Sequence, residues 1–247
     1  MAGFAHTVGL RYLRSRRGFV SVVTGFSFLG IALGVAALIV VMSVMAGFRA
    51  ELLDRILGAT GHAQISEPAM TAERANELRQ DLLDIPGVRS ATPYIAGQAM
   101  VTANGTAVGG IVRAMSAEDL SSKDLISQNI ISGSLDALNE GGAKIILGRA
   151  LARNLRVFVG DNVNLLSSQG THTIMGFVPR MMRTEVVGIF EVGMHQFDSA
   201  LMFLPINTAQ NFYRLDNRMT AIELIVETPS KIENIKPFVD DVMKNEG

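Results

Sequence analysis

Side chains capable of catalysis are thinly spread along this chain. Its four histidines are His6, His62, His172 and His195. None falls in an HxH, HxxxH or HExxH spacing, so a zinc site is not expected. Gly141-Gly142-Ala143-Lys144 lacks the flanking glycine spacing and the Ser or Thr after lysine that a phosphate-binding P-loop needs. No GxSxG elbow occurs. Asp240-Asp241 and Glu118-Asp119 are adjacent carboxylates, which point in different directions on a helix and read as solvated faces. The chain has no Cys, which excludes disulfides and thiolate metal sites. No catalytic constellation emerges, and neither a metal nor an organic cofactor is expected. A chain of this kind that draws on an energy source has to borrow its ATPase.

What the residues offer instead is apolar contact. Thirteen methionines supply flexible thioethers suited to adaptable apolar surfaces or to core filling. One cluster stands out between a strand expected to end at Leu166 and another expected to start at Thr184. That connection is longer than a usual hairpin loop. Its centre, Ile174-Met175-Gly176-Phe177-Val178-Pro179, is apolar, and Arg180 and Arg183 follow it. Two readings are open: a buried core strand over 174–178, or an apolar loop projecting from a hairpin as a docking arm for a partner.

The elements that must carry such an arm begin with a membrane span. No charged residue occurs between Arg17 and Arg49, and the uncharged run, 18–48, exceeds the roughly 20 residues that cross a bilayer as helix. It is too long for the apolar region of a cleaved signal peptide. Arg49-Ala50-Glu51-Leu52-Leu53-Asp54-Arg55 still reads as helix, so the helix is expected to continue to about residue 58. Arg11, Arg14, Arg16 and Arg17 precede the span, while Arg49 and Arg55 are mixed with acids. The positive-inside rule then places the N-terminus in the cytoplasm and the long part outside. Gly30-Ile31-Ala32-Leu33-Gly34 is a GxxxG, and Gly25 follows Ser21 at the same spacing. Small residues four apart favour packing against other membrane helices. Residues 1–17 pattern as a short amphipathic segment at the cytoplasmic interface.

Beyond the span, residues 59–247 are sufficient for one or two small domains. Net charge is −1, so no basic field invites nucleic acid. Strands are expected at 61–65, 90–94, 98–102, 108–113, 144–147, 161–166, 184–190, 200–204 and 221–227. Helices are expected at 71–83 with Thr71 as N-cap, at 148–154, at 207–213 with Asn207 as cap, and at 232–244. Asn104-Gly105 between two alternating runs is a hairpin signal. Residues 119–139 read as polar loops with one short helix. The pattern is α+β.

Val8-Gly9-Leu10-Arg11-Tyr12-Leu13-Arg14-Ser15-Arg16, Phe19-Val20-Ser21, Gly30-Ile31-Ala32-Leu33-Gly34-Val35-Ala36, Met42-Ser43-Val44-Met45-Ala46-Gly47-Phe48 and Ile56-Leu57-Gly58 follow one another along the chain. Together these segments resemble the N-terminal part of the LolC/LolE permeases, membrane subunits of the lipoprotein-releasing ABC transporter within the MacB-like permease superfamily. Asn is more usual in the family where Ala46 stands. Farther on, Met175-Gly176-Phe177-Val178-Pro179 followed by Val186-Val187-Gly188-Ile189-Phe190 is similar to the family's hairpin hook.

The resemblance implies a bacterial inner-membrane protein with one transmembrane helix and then a periplasmic MacB-like core domain of two α+β subdomains, with a hook hairpin at about 165–184. It implies that this chain is an N-terminal portion, ending before three further membrane helices. Partners implied are a separate LolD-like ATPase that binds ATP and magnesium, a second permease copy or paralogue, a LolA-like periplasmic chaperone, triacylated lipoprotein and membrane lipid. Carried over by position, Ile174, Met175, Gly176, Phe177, Val178 and Pro179 form the hook tip, with Arg180 and Arg183 at its base. Val41, Val44, Met45 and Phe48 line a cavity for acyl chains, and Gly25, Gly30 and Gly34 pack helices. The alternatives are a MacB-like efflux or secretion permease, whose periplasmic design is similar without the hook, and a single-span periplasmic sensor or scaffold.

Overall fold

A 43-residue helix, α1 (Gly18–Thr60), opens the described part of the chain. The computed structural model describes residues 18–173, 176–229 and 232–245; the expected interfacial segment 1–17 lies outside them. Within Val22–Arg49 of α1, the most apolar 18-residue window has a mean hydropathy of 2.6, and none of it is buried against the protein. At 1.5 Å per residue, 28 residues reach about 42 Å, more than the roughly 30 Å of hydrocarbon in a bilayer. Apolar side chains on every side of a helix suit lipid as the solvent. Residues up to Asp54 form one compact unit and Arg55–Gly247 a second.

Among the described residues, the second unit mixes nine strands with short helices. The strands are β1 (Ala63–Ile65), β2 (Val88–Ala103), β3 (Thr106–Ala114), β4 (Ile130–Gly133), β5 (Lys144–Gly148), β6 (Asn162–Thr173), β7 (Gly176–Phe190), β8 (Leu201–Leu204) and β9 (Ala221–Val226). The helices are α2 (Ala72–Leu83), α3 (Ala117–Ser121), α4 (Asp124–Ser127), α5 (Arg149–Leu155), α6 (His195–Asp198), α7 (Ile206–Tyr213) and α8 (Ile232–Asn245). Local chemistry accounts for several boundaries. The Thr71 hydroxyl accepts from the Arg74 amide and caps α2. Asn104 and Gly105 both have positive φ, 50° and 77°, which closes the β2–β3 turn in the sense that matches strand twist.

Strand pairing closes on itself. β2 pairs with β3, β3 with β8, β8 with β5, β5 with β7, β7 with β6, and β6 returns to β2. The first half of β2 instead pairs with β9, which also carries β1. Because β2 runs for 16 residues, it belongs to both the ring and the β1–β9 extension. Residues from Arg55 onward form one compact unit, within which β2 joins the ring to the β1–β9 extension. Two apolar clusters fill it. One gathers Leu78, Leu82, Leu151, Leu155 and Phe212 from α2, α5 and α7. The other centres on Phe190 and Phe203, packed edge to face at 5.5 Å.

Some local expectations are corrected. Helix α7 starts at Ile206 with Pro205 at the cap position and no side-chain cap bond. Asn207 therefore lies inside the first turn, because proline's fixed φ, here −61°, already directs the chain into the helix. A strand, β4, occupies part of the segment expected to be loops with one helix. It pairs with the end of β7 across a register shift between Ile130 and Ser132.

After α1 the chain turns at Gly61, whose φ is +70°. A Cβ there would lie 2.4 Å from the Glu223 Cγ, so this position admits only glycine without rearrangement. The next residue, His62, accepts the Val226 amide hydrogen at Nδ1, 2.9 Å away. Burial holds its pKa below the usual histidine range, against the opposing pull of the Glu223 carboxylate. The neutral imidazole is thus favoured in the folded state, and protonation removes the lone pair that accepts from Val226. Below the unfolded-state pKa the unfolded chain takes up a proton that the fold resists, so His62 contributes stability above about pH 6.5 that is lost as pH falls. Urea unfolding at pH 7.5 and 5.5 is expected to show a smaller pH-dependent loss for His62→Gln than for the parent; equal losses would remove this role.

Candidate functional site

The expected docking arm is built from β6 and β7. These strands pair in antiparallel register from Asn162↔Glu185 to Thr173↔Gly176, with a shift between Ser167 and Gly170. β6 leaves β2 after the Ser167↔Ala99 pair. Past that point residues 170–173 and 176–179 pair only with each other among the described residues, as a two-stranded ribbon extending beyond the ring. The expected long loop is thus corrected to two strands that continue almost to the turn. Of the open alternatives for 174–178, a strand within the closed ring is excluded for 176–178, which pair solely within the ribbon. Ile174 and Met175 lie outside the described residues. Gly176 has a φ of +118°, a conformation that strongly favours glycine. Pro179 stands opposite Gly170 beside the register shift, where a residue without an amide hydrogen is tolerated.

The two arginines part company. Arg180 is half-buried, and its Nη1 donates to the Phe212 carbonyl oxygen at 3.0 Å. That carbonyl belongs to the last turn of α7, where a cation satisfies an otherwise open acceptor. Arg180 therefore fastens the ribbon's foot to α7. Arg183 is exposed, opposite Asn164.

On α1, Val41, Val44, Met45 and Phe48 are all more than half exposed. Their i, i+3, i+4, i+7 spacing sets them on one helix face. Continuing the same periodicity, Gly30 and Gly34 fall on that face too, whereas Gly25 falls near the opposite one. The helix therefore does not bring the three glycines together. A Cβ at any of the three would meet nothing within 4 Å.

Two features escape sequence reasoning. The first is an exposed apolar row at the foot of the ribbon. Met100 on β2 stands between Gly109 on β3 and Leu166 on β6, and Leu166 in turn faces Met181 on β7. Met100 and Met181 are 46% and 62% exposed. Period-two alternation in β2 and β6 is the signal that could have found it. The second is a buried ion cluster. Glu223 is 1% exposed and receives both the Lys123 ammonium and, at 2.9 Å, the Arg113 guanidinium. The Arg113 contact is an ion pair without the alignment of a hydrogen bond. Arg113 also stacks 4.5 Å above the Tyr94 ring.

Residues 24–239 match the model of the MacB-like periplasmic core domain. The chain is 36% identical over 219 residues to the lipoprotein-releasing system transmembrane protein LolC of Xylella fastidiosa strain Temecula1, covering 88% of this chain and 52% of that protein. It is 34% identical to the LolC of Neisseria meningitidis serogroup B, covering 90% and 54%. The lipoprotein-releasing system transmembrane protein LolE of Haemophilus influenzae is 32% identical, covering 92% and 56%. The chain thus spans about half the length of the curated relatives it matches. Among solved structures, the periplasmic region of MacB from Actinobacillus actinomycetemcomitans aligns at 12% identity with a TM-score of 0.47, covering 73% of this chain and 75% of that one.

Proposed function

Because this chain belongs to the MacB-like periplasmic core domain family, we propose that it serves in a membrane permease subunit of an ABC transporter for lipoprotein release. In this reading it sits in the inner membrane of a bacterium, N-terminus in the cytoplasm and the sheet domain in the periplasm. A separate LolD-like ATPase subunit hydrolyses ATP, and a second permease copy or paralogue completes the membrane path. The permease draws triacylated lipoproteins out of the inner membrane and passes them to a LolA-like periplasmic chaperone.

The observation that carries this reading is the similarity to LolC and LolE, which extends through most of the chain rather than being confined to the periplasmic part. Two features of the geometry agree with it. Among the described residues the ribbon past the ring pairs only with its own partner strand, as a docking arm for the chaperone should. The α1 face carrying Val41, Val44, Met45 and Phe48 is apolar throughout and includes one adaptable thioether, as a wall for acyl chains should. Gly30 and Gly34 on that face allow a second helix to approach closely.

The test is reconstitution of the full-length permease with its ATPase in liposomes loaded with a triacylated lipoprotein. ATP is expected to move the lipoprotein into the soluble fraction only when chaperone is present. ATP-driven export of a soluble drug or peptide, with lipoprotein left in the membrane, would favour the efflux reading instead.

A further inference from the structure

A cavity of about 350 Å³ lies at the N-terminal end of α7, within the size range of small-molecule sites. Pro205 holds the cap position of α7 and offers no side-chain acceptor. The amide hydrogens of Ile206, Asn207 and Thr208 therefore have no partner among the described residues. Thr208 lines the cavity and is only 7% exposed. Its hydroxyl nevertheless makes no hydrogen bond among the described residues. Helical side chains lean toward the N-terminus of their helix, which sets this hydroxyl beside the open amides. A buried hydroxyl without a partner is costly, and a bound acceptor relieves that cost.

Other parts of the lining leave room for a ligand. Gly141 and Gly142 have φ values of 78° and 81°, and a Cβ at either would meet nothing within 4 Å. The Asn139 and Asn207 carboxamides also line the cavity and have no partner among the described residues. The Ser116 hydroxyl is occupied, accepting from the Asp119 amide and donating to the Asp119 carboxylate.

These groups define the chemistry of the occupant. The open amides can only donate, and a helix N-terminus favours negative charge, so they call for an oxyanion. Its charge is limited, because no lysine or arginine lines the cavity. Two acids border the lining in sequence, Glu140, paired with Lys144 at 2.8 Å, and the exposed Glu118. Acids nearby without a base in the wall oppose a phosphate dianion more than a monoanion. Met115, Leu138 and Ile206 make the rest apolar.

We propose that this cavity binds a carboxylate monoanion carried on a short aliphatic body. The first-turn amides of α7 and the Thr208 hydroxyl hold the carboxylate. Such a group is supplied either by a free carboxylic acid or by the C-terminus of a peptide. The cavity shares no residue with the ribbon or with α1, and the proposal does not depend on the lipoprotein-release reading.

The experiment illuminates the full-length protein in lipid nanodiscs with N-acetyl-photoleucine, a carboxylate bearing a diazirine on its aliphatic side chain. Label is expected on peptides containing 138–142 and 205–208. Unlabelled N-acetylleucine should compete, whereas N-acetylleucinamide, which lacks the charge, should need about tenfold more. Thr208→Val keeps the side chain's shape without its hydroxyl, and Pro205→Asp offers the same amides a carboxylate from the chain itself. Each is expected to lower the label about tenfold. Isocaproate competing as well as N-acetylleucine assigns the site to a free acid; competition at least about tenfold weaker assigns it to a peptide terminus. Equal competition by acid and amide overturns the proposal, and this comparison is read on the parent protein, whatever the variants do to folding. Stronger competition by inorganic phosphate overturns it too, as does the absence of label from these peptides.

Discussion

Phe177→Glu in the full-length permease is expected to abolish capture of the periplasmic chaperone while leaving assembly with the ATPase intact. Phe177 stands on the two-stranded ribbon, paired through its backbone with His172. Among the described residues, 176–178 pair only with 171–173 of β6, outside the closed ring, so the substitution breaks no strand pair of the ring. A large aromatic on a projecting arm is the residue type that dominates docking energies, with losses of 2 kcal/mol or more on truncation. A carboxylate adds the cost of desolvating a charge. Together these predict a loss of affinity of at least about thirtyfold. Phe177→Leu keeps apolar bulk and should retain most of the binding. Immobilised permease titrated with chaperone gives the answer; unchanged affinity for Phe177→Glu would sink the assignment of the ribbon as the docking arm.

The largest effect on stability is expected at Glu223. Two buried cations, Arg113 and Lys123, share its one carboxylate, and none of the three side chains exceeds 7% exposure. Glu223→Ala removes the carboxylate that the two buried cations share, a change that costs about 3–5 kcal/mol in comparable sites. Lys123→Met is different in kind. It removes one cation, leaves Arg113 and Glu223 as a balanced pair, and replaces the ammonium stem with an apolar side chain of similar length. Its cost should therefore stay within about 1–2 kcal/mol. The asymmetry is the sharp part of the prediction. Denaturant unfolding of the two variants should separate them clearly, and equal losses would mean that the cluster acts as packing rather than as charge balance.

Much of the domain was legible where local chemistry decides structure. Asn104-Gly105 announced its hairpin because both residues accept positive φ. Thr71 announced α2 because its hydroxyl can cap the helix. The uncharged run announced α1 because water and lipid sort residues so strongly. Other features were illegible for equally physical reasons. Gly170 and Pro179 look like loop residues, yet they stand opposite each other beside a register shift inside a continuing hairpin. β4 is rich in Ser and Gly, and pairing with β7 overrides its weak strand preference. The ion cluster joins residues up to 110 positions apart by arithmetic on their numbers, Arg113 to Glu223, and no local pattern marks such a meeting. The candidate docking segment could be read from its apolar run, but the role of Arg180 as a tether to α7 could not. The apolar row at the ribbon's foot was missed because its residues come from separate strands that only the closed ring brings side by side.

The placement of β9 sets the order in which this domain can be completed. β1 and the first half of β2 are made early, yet each pairs with β9, near the end of the chain as given. Until β9 is synthesised, both early strands have exposed backbone on that side. Ring closure between β3 and β8 is similarly delayed, since those strands are separated by some 90 positions, as in Ile111↔Leu201. Such long-range pairing slows folding and prolongs the life of open strand edges. Newly made chain therefore passes through a sticky interval that ends only when β9 slots between its two waiting neighbours. Factors that shield nascent strands should matter most during that interval, and shortening the chain before Val226 should prolong it indefinitely.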